Sequence, residues 1–178
     1  MRKRTRINNK STALLVALAV ALAVPACGDD DETSDNHHHV DDGGIDLDEE
    51  GCEHLEGGPF VTVTAGADQA SAAEVKADHH AYTITLTADQ AGFVKFAADA
   101  AGDHVVFLDA DVPFAVEGSG GTRLTIEESL TTIGACTTVK GKHTFELPAV
   151  GLYFFQLGPT ATAEVKLVIE EAGHGHQH

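Results

Sequence analysis

Hydrophobic and polar residues alternate with a period of two between residues 60 and 169. Residues 82–87 show this most clearly, because threonine alternates with Tyr82, Ile84 and Leu86. Glycine-rich turns separate the alternating runs at intervals of about 10 residues. The pattern predicts an all-β fold, a single antiparallel β-sandwich. The predicted strands are 60–64, 82–87, 93–96, 105–108, 114–116, 124–126, 143–147, 152–157 and 165–169.

Two segments between these strands do not alternate. Residues 67–75 and 127–133 are each predicted to form a short helical turn or a loop. From His80 onward, the stretches 91–96, 101–108 and 145–154 resemble the jelly-roll β-sandwiches that trail secreted bacterial enzymes, the pre-peptidase C-terminal type. This resemblance implies a jelly-roll-like fold. It implies no activity, because one fold serves many functions.

The amino terminus has the pattern of an export signal. A basic start, residues 1–6, precedes an apolar run from Ala13 to Pro25, which is shorter than the ~20 residues of a membrane-spanning helix. The end of this run, Val24-Pro25-Ala26-Cys27, resembles the lipobox of bacterial lipoproteins. The resemblance implies that residues 1–26 are removed and that Cys27 carries the lipid that anchors the chain to a membrane of the cell envelope. The alternative is an ordinary secretory signal.

Composition divides the remaining chain into three parts. Residues 27–51 are acidic and contain little to bury, so we expect a disordered tether. The sandwich domain is predicted over 52–171, and a disordered histidine-rich tail over 172–178. After processing, six of the eleven Lys and Arg remain against all 28 Asp and Glu, a formal charge of −22. This charge argues against nucleic-acid binding and favours cations as partners.

Two cysteines remain once Cys27 is set aside. In an exported chain, Cys52 and Cys136 are expected to form a disulfide. The alternative is a zinc site built from Cys52, His54, Cys136 and His143.

Histidine is unusually frequent, with 11 residues in 178. One group lies in the tether and another, separated by Gly and Gln, lies in the tail. Neutral imidazole is a common ligand of Zn²⁺, Cu²⁺ and Ni²⁺, and Glu170 and Glu171 are near enough in sequence to add oxygen ligands. The expected metal ligands are His37, His38, His39, His174, His176 and His178. The alternative is a solvated tail that binds nothing.

The histidines inside the domain form a second candidate set. His80, His104 and His143 each share strand parity with inward-pointing apolar residues. They can meet at one metal site only if their strands begin at the same end of the sandwich. Otherwise each is a strand-end histidine with its own hydrogen bond. His79 falls on the threonine face, where we expect it to be exposed.

No nucleophile or metalloprotease motif is present, so we expect no enzyme. The sequence predicts a lipid-anchored envelope protein that binds or buffers Zn²⁺, Cu²⁺ or Ni²⁺ and passes the ion to a metal transporter. The fold needs no cofactor. The alternative function is a protein- or glycan-binding adhesion module in which the histidines are incidental.

Overall fold

The computed structural model describes residues 46–171. The elements in chain order are α1 (Leu47–Gly57), β1 (Phe60–Thr64), a 3-10 turn (Gln69–Ser71), β2 (Ala73–Val75), β3 (Ala81–Thr85), β4 (Gln90–Ala98), β5 (Gly102–Leu108), β6 (Phe114–Gly118), β7 (Glu128–Leu130), β8 (Gly141–Leu147), β9 (Gly151–Thr160) and β10 (Glu164–Glu171). The predicted signal, Cys27 and the histidines of the tether and tail lie outside the described residues. No helix among residues 46–171 is long and apolar enough to cross a bilayer.

The strands form two sheets, which confirms the predicted all-β sandwich. A six-stranded sheet has the order β1-β3-β10-β5-β8-β7, and a four-stranded sheet has the order β2-β4-β9-β6. Two pairs, β1 with β3 and β2 with β4, are parallel, so the sheets are mixed and not purely antiparallel. The parallel pairs arise because the chain crosses to the other sheet between the paired strands and then returns in the same direction.

The main core lies between the two sheets. Alternate residues of the strands point into it, as the period-two pattern predicts. Phe96, Phe145 and Phe155 are almost fully buried there, and Tyr82 points inward as its parity predicts. Burial of such side chains, at ~1.5–3 kcal/mol each, is the main stabilisation of the sandwich.

Two short segments differ in how well they were predicted. Residues 67–75 contain the predicted helical turn, Gln69–Ser71, which begins with a capping box between Asp68 and Ser71, but they also contain the strand β2, Ala73–Val75, which was not predicted. Residues 127–133 contain the edge strand β7 instead of a helical turn. The predicted strand 124–126 is not formed, although Arg123 just before it makes an isolated bridge with Glu117.

The helix α1 was not predicted. It begins at Leu47, so residues 47–51 belong to the folded domain and not to the tether. The Asp46 carboxylate accepts a hydrogen bond from the Asp48 amide, and three acidic residues in the first turn favour the positive end of the helix dipole. The helix ends at Gly57 and is capped by Gly58, which has a positive φ of 76°.

The helix packs on the outer face of the six-stranded sheet and forms a second, smaller core. Gly51 allows the close approach, because a Cβ there would lie 2.5 Å from the Phe107 ring. Leu55 is fully buried. The buried members of this core are Cys52, Leu55, Ala81, Val105, Phe107, Val139 and Val168.

Candidate metal centre

Four metal-ligating side chains come together at the margin of this second core. They are Glu50, His54, His79 and Glu170, and their ligand atoms all lie within 4.8 Å of one another. We call these four residues the Glu–His cluster. It contains two imidazoles and two carboxylates from three separate parts of the chain.

The helix supplies two members of the Glu–His cluster. Glu50 and His54 are four residues apart on α1, so their side chains lie on the same helix face. The His54 Nε2 atom lies 3.8 Å from Glu50 Oε1 and 4.0 Å from Glu170 Oε1. This nitrogen therefore faces both carboxylates.

His79 reaches the cluster from the turn before β3. Its backbone has φ 58°, in the left-handed region that a residue other than glycine adopts at a cost of ~1–2 kcal/mol. Its Nδ1 atom lies 3.1 Å from Glu50 Oε1 and 4.0 Å from Glu170 Oε2. The rings of His54 and His79 are 5.3 Å apart between centroids. The residue with the strained backbone is therefore the one whose imidazole contacts the carboxylates of the cluster.

Glu170 enters from the sheet, near the end of β10. Val165, Leu167 and Ile169 of β10 point into the main core, so Glu170 points to the opposite face, beneath α1. The residue is 2 % exposed, and its Oε1 atom has no hydrogen-bond partner. A buried carboxylate without compensation is costly.

Electrostatics explain how Glu170 tolerates this position. Burial, followed by the nearby charges of Glu50 and Glu171, raises the pKa of Glu170 to about 8. The carboxyl group therefore holds a proton at neutral pH when no cation is present. A bound cation would replace this proton and neutralise the buried charge.

The spacing suits a small cation. Ligands about 2.1 Å from a tetrahedral zinc ion are about 3.4 Å apart. The carboxylate–imidazole distances are 3.1, 3.8 and 4.0 Å, and no two ligand atoms of the cluster are more than 4.8 Å apart, so the side chains must draw together by up to about 1.4 Å to reach this spacing. One feature limits affinity: the buried His54 Nδ1 has no hydrogen-bond partner. Metal binding at Nε2 leaves the Nδ1 proton unsatisfied, at a cost of ~1–3 kcal/mol.

The domain histidines of the second candidate set do not join a cluster of this kind. His104 and His143 lie on the antiparallel neighbours β5 and β8, where His104 pairs with Phe145 and Val106 pairs with His143. Within residues 46–171, one group of three or more metal-ligating side chains is close enough together to hold an ion, and it is the Glu–His cluster. This group contains none of His80, His104 and His143.

Each of these three histidines has its own surroundings. His104 is 1 % exposed and packs against Phe96 and Phe145, with centroids 5.6 and 6.2 Å apart. His143 stacks on Phe114 at 4.7 Å and shares a 2.9 Å hydrogen bond with Ser129. Burial lowers the pKa of His143.

His80 is one-third exposed and lies close to Asp78, with Nδ1 2.8 Å from the backbone oxygen and 3.0 Å from a carboxylate oxygen. The inward parity that was predicted for His80 is therefore not matched by burial, because the residue precedes the first hydrogen-bonded pair of β3. His79, expected to be exposed, is 41 % exposed at its side chain but contacts Glu50.

The predicted disulfide is confirmed. Cys52 and Cys136 are bonded, with Cα atoms 6.0 Å apart. Both thiols are used, so the alternative zinc site at Cys52, His54, Cys136 and His143 is not formed. The disulfide is typical of an oxidising, exported location.

Sequence reasoning did not identify the Glu–His cluster as a unit. The sequence predicts Glu170 only as an extra ligand for the tail and Glu50 as part of the tether. The sequence does contain signals of a short helix: a capping residue at Asp46, the four-residue spacing of Glu50 and His54, and the pair Gly57-Gly58. A helix predicted from these signals would have placed two of the four cluster residues on one face.

No protein-family model matches this chain, and no curated protein is significantly similar to it.

Proposed function

We propose that the chain is an exported, non-enzymatic protein that binds a transition-metal ion, with Zn²⁺ as the first candidate, at the Glu–His cluster. The supporting observation is the buried, unpartnered Glu170 oxygen, which faces His54 within 4.0 Å. A cation at this point gives the oxygen a partner and removes the cost of its charge.

The donor set favours transition metals over Ca²⁺ and Mg²⁺. Two imidazole nitrogens suit Zn²⁺, Cu²⁺ or Ni²⁺, whereas the harder ions prefer oxygen ligands throughout. Four protein ligands whose atoms lie within 4.8 Å of one another favour Zn²⁺ in a closed, four-coordinate site. A closed site leaves no position for a substrate, which supports binding or buffering rather than catalysis.

The histidines of the tether and tail extend this proposal. His174 follows Glu170 by four residues, which span at most about 14 Å of extended chain. An ion collected by His174, His176 and His178 can therefore be released close to the Glu–His cluster. We propose the same collecting role for His37, His38 and His39, and transfer of the ion to a membrane transporter.

Lipid anchoring through Cys27 completes the proposal. The lipobox-like residues and the acidic segment that follows them support an anchored protein at the cell envelope. The net negative charge of the processed chain would concentrate cations around it.

Calorimetric titration of the full chain with Zn²⁺ tests the proposed site. All samples carry alanine at positions 37–39, 174, 176 and 178, so that binding reports on the domain. We expect one Zn²⁺ per chain. The variants His54→Ala and Glu170→Gln should each weaken binding at least tenfold, because each removes one of four ligands.

Two matched variants are the controls. His80→Ala removes a neighbouring histidine outside the cluster, and Glu49→Gln removes an exposed charge next to Glu50 on α1. Both should bind Zn²⁺ like the parent. Equal losses in the controls and the cluster variants would mean that general negative charge, and not the cluster, attracts the ion.

One observation supports the alternative of an interaction module. Val150 and Leu152 are 63 % and 42 % exposed and border a hollow of about 300 Å³. Apolar residues at such a hollow are suited to contact with another protein. Unchanged capture of partner proteins by a Val150→Asp, Leu152→Asp variant would contradict this alternative.

A further inference from the structure

We infer that the Cys52–Cys136 disulfide controls the metal site, so that reduction releases the ion. This inference rests on the proposed function. One end of the disulfide is Cys52 on α1, the helix that supplies two of the four ligands. The other end is Cys136, which lies in the segment between β7 and β8. Formation of the disulfide therefore holds Glu50 and His54 in register with His79 and Glu170.

The position of Cys52 carries the first step. Cys52 lies between Glu50 and His54 on α1, two residues from each. Glu50 and His54 face the cluster, whereas Cys52 is buried against the sheet in the second core. A movement of Cys52 away from the sheet thus carries both ligands with it.

The other attachments of α1 are few. An isolated helix of 11 residues is marginal in water, so its position depends on tertiary contacts. Beside Cys52, the helix buries only the side chain of Leu55 fully, because Gly51 has no side chain, and Leu47 is partly buried against the same core. Two polar contacts also hold the helix: the Lys142–Asp48 ion pair at 2.6 Å and the Lys166–Leu55 hydrogen bond at 3.3 Å.

The disulfide restrains the segment around Cys136 as well as the helix. Cys136 lies in residues 131–140, which contain neither helix nor strand between β7 and β8. The Thr138–Glu56 hydrogen bond links the same segment to α1. The cross-link spans 84 residues of sequence, and long loops of this kind constrain the unfolded chain strongly. Without the bond, the segment and the helix are joined by the Thr138–Glu56 hydrogen bond and the apolar contacts of Val139, and no covalent link holds them in place.

The redox step is a two-electron thiol–disulfide exchange. Two glutathione thiols give one oxidised glutathione, and the Cys52–Cys136 bond becomes two thiols, so that protons and electrons balance. The reduced chain retains His79 and Glu170 at the sheet but loses fixed positions for Glu50 and His54. We expect Zn²⁺ affinity to fall at least tenfold.

Linkage gives a reciprocal consequence. A ligand that binds the oxidised form more tightly must make the disulfide harder to reduce by the same factor. Each tenfold difference in Zn²⁺ affinity corresponds to a shift of about 30 mV to more negative potential. If the freed thiols bound Zn²⁺ themselves, the shift would have the opposite sign.

The first test measures Zn²⁺ affinity by calorimetry in the chain with alanine at 37–39, 174, 176 and 178. The oxidised protein is compared with a Cys52→Ala, Cys136→Ala variant, which has no thiol in the domain. Near-ultraviolet circular dichroism of the buried Tyr82 and Tyr153 reports whether the sandwich of the variant is intact. We expect an intact sandwich with at least tenfold weaker binding.

The second test is a glutathione redox titration with and without saturating Zn²⁺, followed by alkylation and mass spectrometry. It needs no variant of the cysteines. A shift to more negative potential supports the inference. An unchanged midpoint, a positive shift, or equal affinity in the first test overturns it while leaving the proposed site intact. If the oxidised chain binds no Zn²⁺, both the inference and the proposed function are overturned.

Discussion

The two faces of the six-stranded sheet are built in different ways. The inner face meets the four-stranded sheet through large apolar side chains, with His104 as the polar exception. The outer face meets one short helix through a smaller core, and the Glu–His cluster lies at the margin of that core. The inner face stabilises the fold, and the outer face is the part that can bind an ion.

This difference shows how stability and binding can be separated within one sheet. Along β10, residues that point inward are apolar, whereas Glu170, which points outward, is a buried acid with a raised pKa. The stability of the inner core offsets the free-energy cost of burying the Glu170 carboxyl group on the outer face. The following predictions test this separation, beginning with the largest expected effect.

Phe155→Ala tests the inner face. Phe155 is fully buried among other aromatic rings, so the variant should lose ~3–5 kcal/mol of the free energy of unfolding. Chemical denaturation measures this loss. Zn²⁺ affinity of the folded protein should remain that of the parent. A large drop in affinity would show that the two faces are not independent.

Glu170→Gln tests the buried acid through pH. Because the folded pKa is about 8 and the ordinary value is 4.5, the folded protein holds a proton that the unfolded chain releases between these values. The metal-free native protein should therefore lose up to ~1.4 kcal/mol of stability per pH unit as pH rises from about 5 to 8.

The glutamine variant lacks this titration, so its advantage over the native protein should grow across the same interval. Denaturation at several pH values, with chelator present, measures the difference. Glu49→Gln is the matched control because Glu49 is exposed. Parallel curves for the native protein and Glu170→Gln would contradict the raised pKa.

Gly51→Ala tests the contact between the helix and the outer face. The added Cβ would lie 2.5 Å from Phe107, so α1 must move outward, with an expected loss of ~1–3 kcal/mol in stability. Zn²⁺ affinity should also fall, because Glu50 and His54 move with the helix. Gly57→Ala is the control, since a Cβ there meets no atom within 4 Å. Unchanged Zn²⁺ affinity in Gly51→Ala would argue against a site that depends on the helix position.

His79→Gly and His79→Ala form the pair with the smallest effect. Both variants remove the imidazole, and both should lose Zn²⁺ affinity. They differ in tolerance of φ 58°, so the glycine variant should be more stable by ~1 kcal/mol. Thermal denaturation with chelator compares the two. Equal stability would mean that the turn relaxes without strain.

The inner face could be predicted from the sequence because its signal is local. Alternation along residues such as Tyr82 and Ile84 reports which side of a strand is buried, and the structure confirms it. The parallel pairing of β1 with β3 could not be predicted, because it depends on the path of the chain between the two sheets.

The Glu–His cluster was largely missed for physical reasons. Helix α1 buries few side chains, so its acidic sequence looks like a tether despite the cap at Asp46. His79 contacts Glu50 from a left-handed backbone conformation, which strand parity does not anticipate. Cys52 and Cys136 were paired correctly, since the number of cysteines and the expected compartment left few alternatives.

X-ray absorption at the zinc edge tests the central claim most directly. The sample is the oxidised full chain with alanine at 37–39, 174, 176 and 178, loaded with one equivalent of Zn²⁺. Four nitrogen or oxygen ligands at about 2.0–2.1 Å, with the scattering pattern of two imidazoles, are the expected result. Loss of one imidazole in His54→Ala should follow. A six-coordinate shell of oxygen with no imidazole would contradict a metal site at Glu50, His54, His79 and Glu170.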